Sequence, residues 1–145
     1  MQKIFISGTG GFGSSRITTL PQPVKEKIGT YLNQQAEIFI GDCQGVDTLV
    51  QEYLQEKNYK HVTVYYSGLR YRNKRDAEWK NRSVPSNAYG RAFYTAKDKQ
   101  ACSDADAGLA IWDGESKGTA RNIWQLKSEG KLVEIFRTDI GKFES

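Results

Sequence analysis

The sequence is poor in the side chains that much enzyme chemistry relies on. Its one histidine, His61, leaves no histidine pair for acid–base catalysis and no histidine-rich zinc cluster. The two cysteines, Cys43 and Cys102, show neither metal-ligand spacing nor a disulfide framework. A reducing cytoplasm is the setting this usage predicts. No apolar run is long enough to span a bilayer. The first residues lead straight into a strand pattern, without the charged and apolar regions of a signal peptide. The excess of one sign of charge is also small: a net +4 mildly favours anionic partners and does not by itself predict a nucleic-acid binder. No motif calls for a metal or an organic cofactor.

What is present is a length of 145 residues, enough for one domain with its own core. The stretch that organises the rest is Ile38-Phe39-Ile40-Gly41-Asp42-Cys43-Gln44-Gly45-Val46-Asp47. Its β-branched and aromatic run suits a strand covered on both faces. Gly41 and Gly45 permit a sharp bend and the close approach of a ligand. From Val46 the apolar residues Val46, Leu49, Val50, Tyr53 and Leu54 recur at helical spacing. A strand, a glycine turn and a helix start can hold an anion such as phosphate. The same pattern also suits an ordinary β-to-α turn.

The alternation continues along the chain. Residues 3–7 read as strand one, ending at Gly8. Gly8, Gly10 and Gly13 then match the dinucleotide fingerprint literally, but that fingerprint needs a helix opening at the glycines. Here residues 17–23 intervene, with Pro21 and Pro23, so the segment reads as a glycine-rich loop over a phosphate or ribose, or as a plain connection. Helix one follows from Pro23, with Val24, Ile28, Tyr31 and Leu32 on its apolar face. Strand two is 36–40 and strand three is 62–66. Residues 67–87 look irregular. Within them Arg70, Arg72, Lys74, Arg75, Lys80 and Arg82 interleave with Tyr71 and Trp79, a pattern that suits base stacking and phosphate contacts, or a solvated excursion or subunit contact. A helix over 89–103 carries Ala92, Phe93, Ala96, Lys97 and Cys102 along it. Strand four is 107–112, followed by a polar turn from Asp113 to Thr119 and a helix with Ile123, Trp124 and Leu126 buried. Gly130 is a C-cap candidate, 132–136 is strand five, and 139–145 is a polar, frayed tail beyond a domain of residues 1–138.

This alternation predicts an α/β, Rossmann-like open parallel sheet of about five strands, order 3-2-1-4-5, with helices on both faces. Ligands in such sheets bind at the carboxyl ends of the strands, where the order reverses. The loop after Gly8, the turn from Gly41 to Asp47 and the turn from Asp113 to Thr119 all leave carboxyl ends. They should converge on one crevice.

Three stretches together resemble the SLOG superfamily, the Rossmann-like group named for Smf/DprA and LOG proteins. They are Ile6-Ser7-Gly8 with Ser15-Arg16, then 41–47, and 106–112 with Lys117-Gly118-Thr119. The nearest branch is that of the small, stand-alone YspA-like members. The resemblance covers nearly the whole chain and implies a nucleotide or nucleotide-derived ligand. The binding residues it implies are Gly8, Ser15, Arg16, Gly41, Asp42, Gly45, Asp47, Asp113, Lys117, Gly118, Thr119 and Asn122. In this reading Arg16 grips phosphate, and Asp42 or Asp47 accepts from ribose hydroxyls. LOG-type members cleave the base from a nucleoside monophosphate through the signature P-G-G-x-G-T-x-x-E. Asn122 stands at the glutamate position here, and an amide cannot supply that charge. The resemblance therefore implies a sensor or sequestering module for a nucleoside phosphate or ADP-ribose-like ligand. The alternatives are a LOG-like hydrolase drawing a carboxylate from Asp42, Asp47, Asp113 or Glu115, and a DprA-like single-stranded nucleic-acid binder. SLOG domains are associated with bacterial and phage conflict systems. LOG-type relatives dimerise, which implies a homo-oligomer, with Trp79, Tyr89 and Trp124 as interface or core aromatics.

Overall fold

The apolar runs predicted as strands are the ones that pair at the centre of the sheet. The computed structural model describes residues 1–10 and 17–144. Ser15 and Arg16 lie outside the described residues, as do Gly11 to Ser14 of the glycine-rich loop. The elements run β1 Lys3–Gly8, α1 Gln22–Asn33, β2 Glu37–Gly41, α2 Val46–Glu56, β3 Val62–Ser67, β4 Lys80–Val84, α3 Gly90–Asp104, β5 Ala107–Trp112, α4 Lys117–Ser128, β6 Leu132–Arg137 and β7 Lys142–Phe143. The sheet order is β4-β3-β2-β1-β5-β6-β7, parallel throughout except for β6 with β7. The five expected strands are therefore present in the expected order, with one strand added at each edge.

Alternation along the central strands divides the core between the two faces. Ile4 and Ile6, Ile38 and Ile40, and Val62 and Val64 pack with Val24 and Ile28 of α1 and Val46, Val50 and Leu54 of α2. Phe5, Phe39 and Tyr65 face the other way, onto Ala101 and Cys102 of α3 and Leu126 of α4. Helices thus cover both faces, and these strands are buried along almost their whole length.

The two added strands correct the reading of 67–87 as irregular and of 139–145 as frayed. β4, with the sequence Lys80-Asn81-Arg82-Ser83-Val84, is largely exposed and has no apolar alternation. Backbone pairing to β3 holds it, as befits a charged edge strand. Residues 68–79 lead into it and are pinned from α2. Fully buried Gln51 donates to the carbonyls of Gly41 and Asn73 and accepts from the Arg75 amide. At the other edge the chain turns back at Gly141, and Phe143 packs edge-on against Phe136 at 5.1 Å. Among the described residues no helix is long and apolar enough to cross a membrane.

Candidate functional site

The strand order reverses between β1 and β5, and the segments leaving β1, β2 and β5 meet there. Thr9 stitches them together. Its amide donates to the Ile111 carbonyl, its carbonyl accepts from Val46 at the start of α2, and its hydroxyl accepts from the Asp113 amide. Two missing side chains permit this approach. A Cβ on Gly8 would stand 2.5 Å from Val46 Cγ1 and 2.7 Å from the Ile111 oxygen. Gly8 therefore serves the packing of α2 on the sheet, a nearer cause than ligand access. Gly45, with φ of 90°, caps α2 in a conformation that side chains rarely adopt.

A cavity of about 450 Å³ opens at this junction, on the α3–α4 face of the sheet. Of the residues predicted from the sequence, Gly8, Asp47, Lys117, Gly118, Thr119 and Asn122 line it together. Helix α4 begins at Lys117, two residues earlier than its apolar pattern suggests, so its first turn opens directly into the cavity. The first intrahelical bond is made by the Ala120 amide to Ser116. The amides of Lys117, Gly118 and Thr119 precede it and have no partner within the helix.

Other predicted residues point elsewhere. Asp42, 2 % exposed, accepts from the Arg72 amide, from Nε, and from Nη2 at 2.8 Å. Its carboxylate fastens 68–79 to the end of β2 and lines a neighbouring crevice with Arg72, Asn73 and Thr48. Asp113 accepts from the Glu115 and Ser116 amides and shapes the turn before α4. Gly41 and Gly45 are not in the cavity wall, though Gly41 lies directly behind it. Several other aromatic and basic groups of 70–82 have local tasks. Trp79 is buried with its indole donating to the Tyr59 carbonyl, Arg75 bonds Gln55, and Lys74 bonds the Trp79 carbonyl.

The charged centre of the cavity comes from α3, which the sequence reading leaves without a functional role. Lys97 is 2 % exposed and donates to Asp98 Oδ1 at 2.9 Å. Asn122 donates to the other oxygen of Asp98 at 3.1 Å. Asp47 accepts from the Cys43 amide at 3.0 Å. Asp47 and Lys97 face each other across Gly41, where a Cβ would meet Asp47 Oδ2 at 2.5 Å and Lys97 Nζ at 2.6 Å. Gly41 is thus the gap through which the two charges interact. The signal for this cluster was Lys97 itself, spaced four residues from both Phe93 and Ala101 on a helix whose Ala101 and Cys102 are core.

Electrostatics set the protonation of the cluster. Burial raises the Asp47 pKa, and Lys97 only partly offsets it, leaving it at about 6. Burial works against the Lys97 charge, but Asp98 and Asp47 outweigh it and hold the ammonium above its ordinary range. Burial likewise raises the Cys43 thiol, which disfavours the reactive thiolate. Arg91, Lys117 and Arg121 add three cations to the cavity wall. With Lys97 they outnumber Asp47 and Asp98, which suits an anionic ligand.

One group is unsatisfied. Ser7, 6 % exposed, lines the cavity, and its hydroxyl has no hydrogen-bond partner. It is the sole buried side-chain nitrogen or oxygen so placed among the described residues. Such a group costs stability unless water or a ligand in the cavity bonds to it. Among the described residues no group of three or more His, Cys, Asp or Glu could hold a metal ion.

No protein-family model and no curated protein matches this chain.

Proposed function

We propose that this cavity binds a nucleoside phosphate or a related nucleotide-derived ligand, and that the chain acts as a sensor or sequestering module for it. The observation that carries the reading is the Ser7 hydroxyl, buried without a partner in a cavity onto which the first turn of α4 opens. Phosphate sits on the amides of Lys117, Gly118 and Thr119, with the Lys117 ammonium as a point charge. Ribose hydroxyls reach Ser7, Asp47 and Asp98. The resemblance to SLOG proteins agrees with this reading and adds nothing to the geometry.

The test is Ser7→Ala. Calorimetric titration with AMP is expected to show affinity reduced by about threefold to tenfold, the scale of one neutral hydrogen bond. The ligand-free variant is expected to be as stable as the parent or more stable, because the hydroxyl has no protein partner to lose. Unchanged affinity removes Ser7 from the site and with it the main support for the proposal.

A second reading, hydrolysis of the N-glycosidic bond, has one specific observation in its favour. The Asn122 amide, which the resemblance to SLOG proteins puts at the LOG glutamate position, holds the Asp98 carboxylate. Asp98 would then supply from α3 the charge that stabilises an oxocarbenium-like ribosyl centre. Chromatography of the AMP titration mixture decides between the readings. Free adenine that disappears in Asp98→Asn establishes the enzyme, and AMP bound and recovered intact rejects it.

A further inference from the structure

We infer that the groove between α3 and α4 is the subsite for an aromatic base, with the Trp124 indole as its stacking surface. The inference rests on the nucleotide reading of the adjoining cavity. The groove has a volume of about 490 Å³ and is continuous with that cavity, since Thr95, Asp98, Gly118, Arg121 and Asn122 line both. From these shared residues it runs along α4 to Trp124.

Trp124, expected from its helical spacing to be buried with Ile123 and Leu126, is instead exposed and stands apart from the other tryptophans. It is 72 % exposed, whereas Trp79 is buried with its indole bonded to Tyr59, and Trp112 bonds the Ser116 carbonyl beneath Arg137. Among the described residues no ring stacks on Trp124 and no cation covers it. An indole left this open on a helix gains little from folding and has its full face available to a partner.

Elimination points the same way. Phe5 lines the cavity but is 2 % exposed and belongs to the core. Tyr94 carries the Arg72 guanidinium 4.4 Å from its centroid and makes a T-shaped contact with Phe93. The crevice at the end of β2, beside Asp42 and Arg72, has no aromatic lining. Tyr94 is 46 % exposed but already carries Arg72, so Trp124, at 72 %, is the most open ring on this crevice system among the described residues.

The spacing fits a nucleotide. Trp124 lies six residues beyond Gly118, about 9 Å along the helix axis at the α-helical rise. A phosphate on the first turn of α4 and a base against Trp124 are bridged by one ribose. Arg121, one turn before Trp124, stands between the two subsites and lines both.

The experiment titrates the protein with AMP and, separately, with ribose 5-phosphate, following calorimetry and tryptophan emission. AMP is expected to bind more tightly and to quench emission, and ribose 5-phosphate to bind without quenching. Trp124→Ala should lower AMP affinity by between about fivefold and a hundredfold, the scale of one base–aromatic stack. It should leave ribose 5-phosphate unaffected, and Trp124→Phe should recover part of the loss. Equal binding of the two probes, with AMP affinity unchanged in Trp124→Ala, overturns the base subsite and leaves the phosphate site standing. Binding of neither probe overturns the nucleotide reading together with the subsite. Self-association that Trp124→Ala abolishes without changing AMP affinity assigns the indole to a second copy of the chain and overturns the inference.

Discussion

Lys97→Met is expected to destabilise the protein by about 3–5 kcal/mol at pH 8, the cost of stranding buried charge by removing one partner. Methionine keeps most of the volume and flexibility of the stem, so the effect reads the charge and not a cavity. Lys97 bonds Asp98 directly and faces Asp47 across Gly41. Without it, two carboxylates approach one another at the bottom of the cavity with only the Asn122 amide and the Cys43 amide as donors. The loss should be clearly smaller at pH 5, where Asp47 is protonated. Denaturant unfolding at the two pH values checks this. A loss below about 1 kcal/mol at pH 8 would mean that Lys97 does not neutralise the cluster.

Asp47→Asn is expected to act in the opposite direction. The folded-state pKa of Asp47 is about 6, above the ordinary aspartate value of 3.8. The fold therefore prefers the neutral acid. That contribution to stability is complete below about pH 4 and is lost as pH rises through about 6. Asparagine fixes the neutral form and still accepts from the Cys43 amide. At pH 8 the variant should be more stable than the parent by about 1–3 kcal/mol, and the two should converge near pH 4. A variant no more stable than the parent at pH 8 would show that the carboxylate carries no desolvation cost.

The alternating fold was legible because parallel strands covered on both faces are almost continuously apolar, as 4–6, 38–40 and 107–112 are throughout and 62–66 is apart from Thr63. β4 was not, because an exposed edge strand is held by backbone pairing that leaves no mark on Lys80-Asn81-Arg82-Ser83-Val84. β7 is two residues long and has no pattern to read. At the site, the turns after β1, β2 and β5 were visible as glycine and polar punctuation, and six of the predicted residues share one cavity. Asp42 and Asp113 resembled ligand groups in type and position, but their use was decided by partners distant in sequence or by their own turn, Arg72 in one case and the Ser116 amide in the other. Lys97 and Asp98 lie inside a helix, far from any turn, where no local motif marks a buried ion pair. Ser7 belonged to a strand pattern, and its unpaired hydroxyl exists only in three dimensions.

Binding of a phosphorylated ribose in the crevice between the ends of β1 and β5, against the first turn of α4, is tested by an amide chemical-shift titration of the ¹⁵N-labelled protein with AMP. Saturable shifts are expected, centred on Ser7, Gly118, Thr119 and Asn122, with the Trp124 indole resonance moving in step. Shifts confined to other parts of the molecule, or a spectrum unchanged at millimolar AMP, would contradict it.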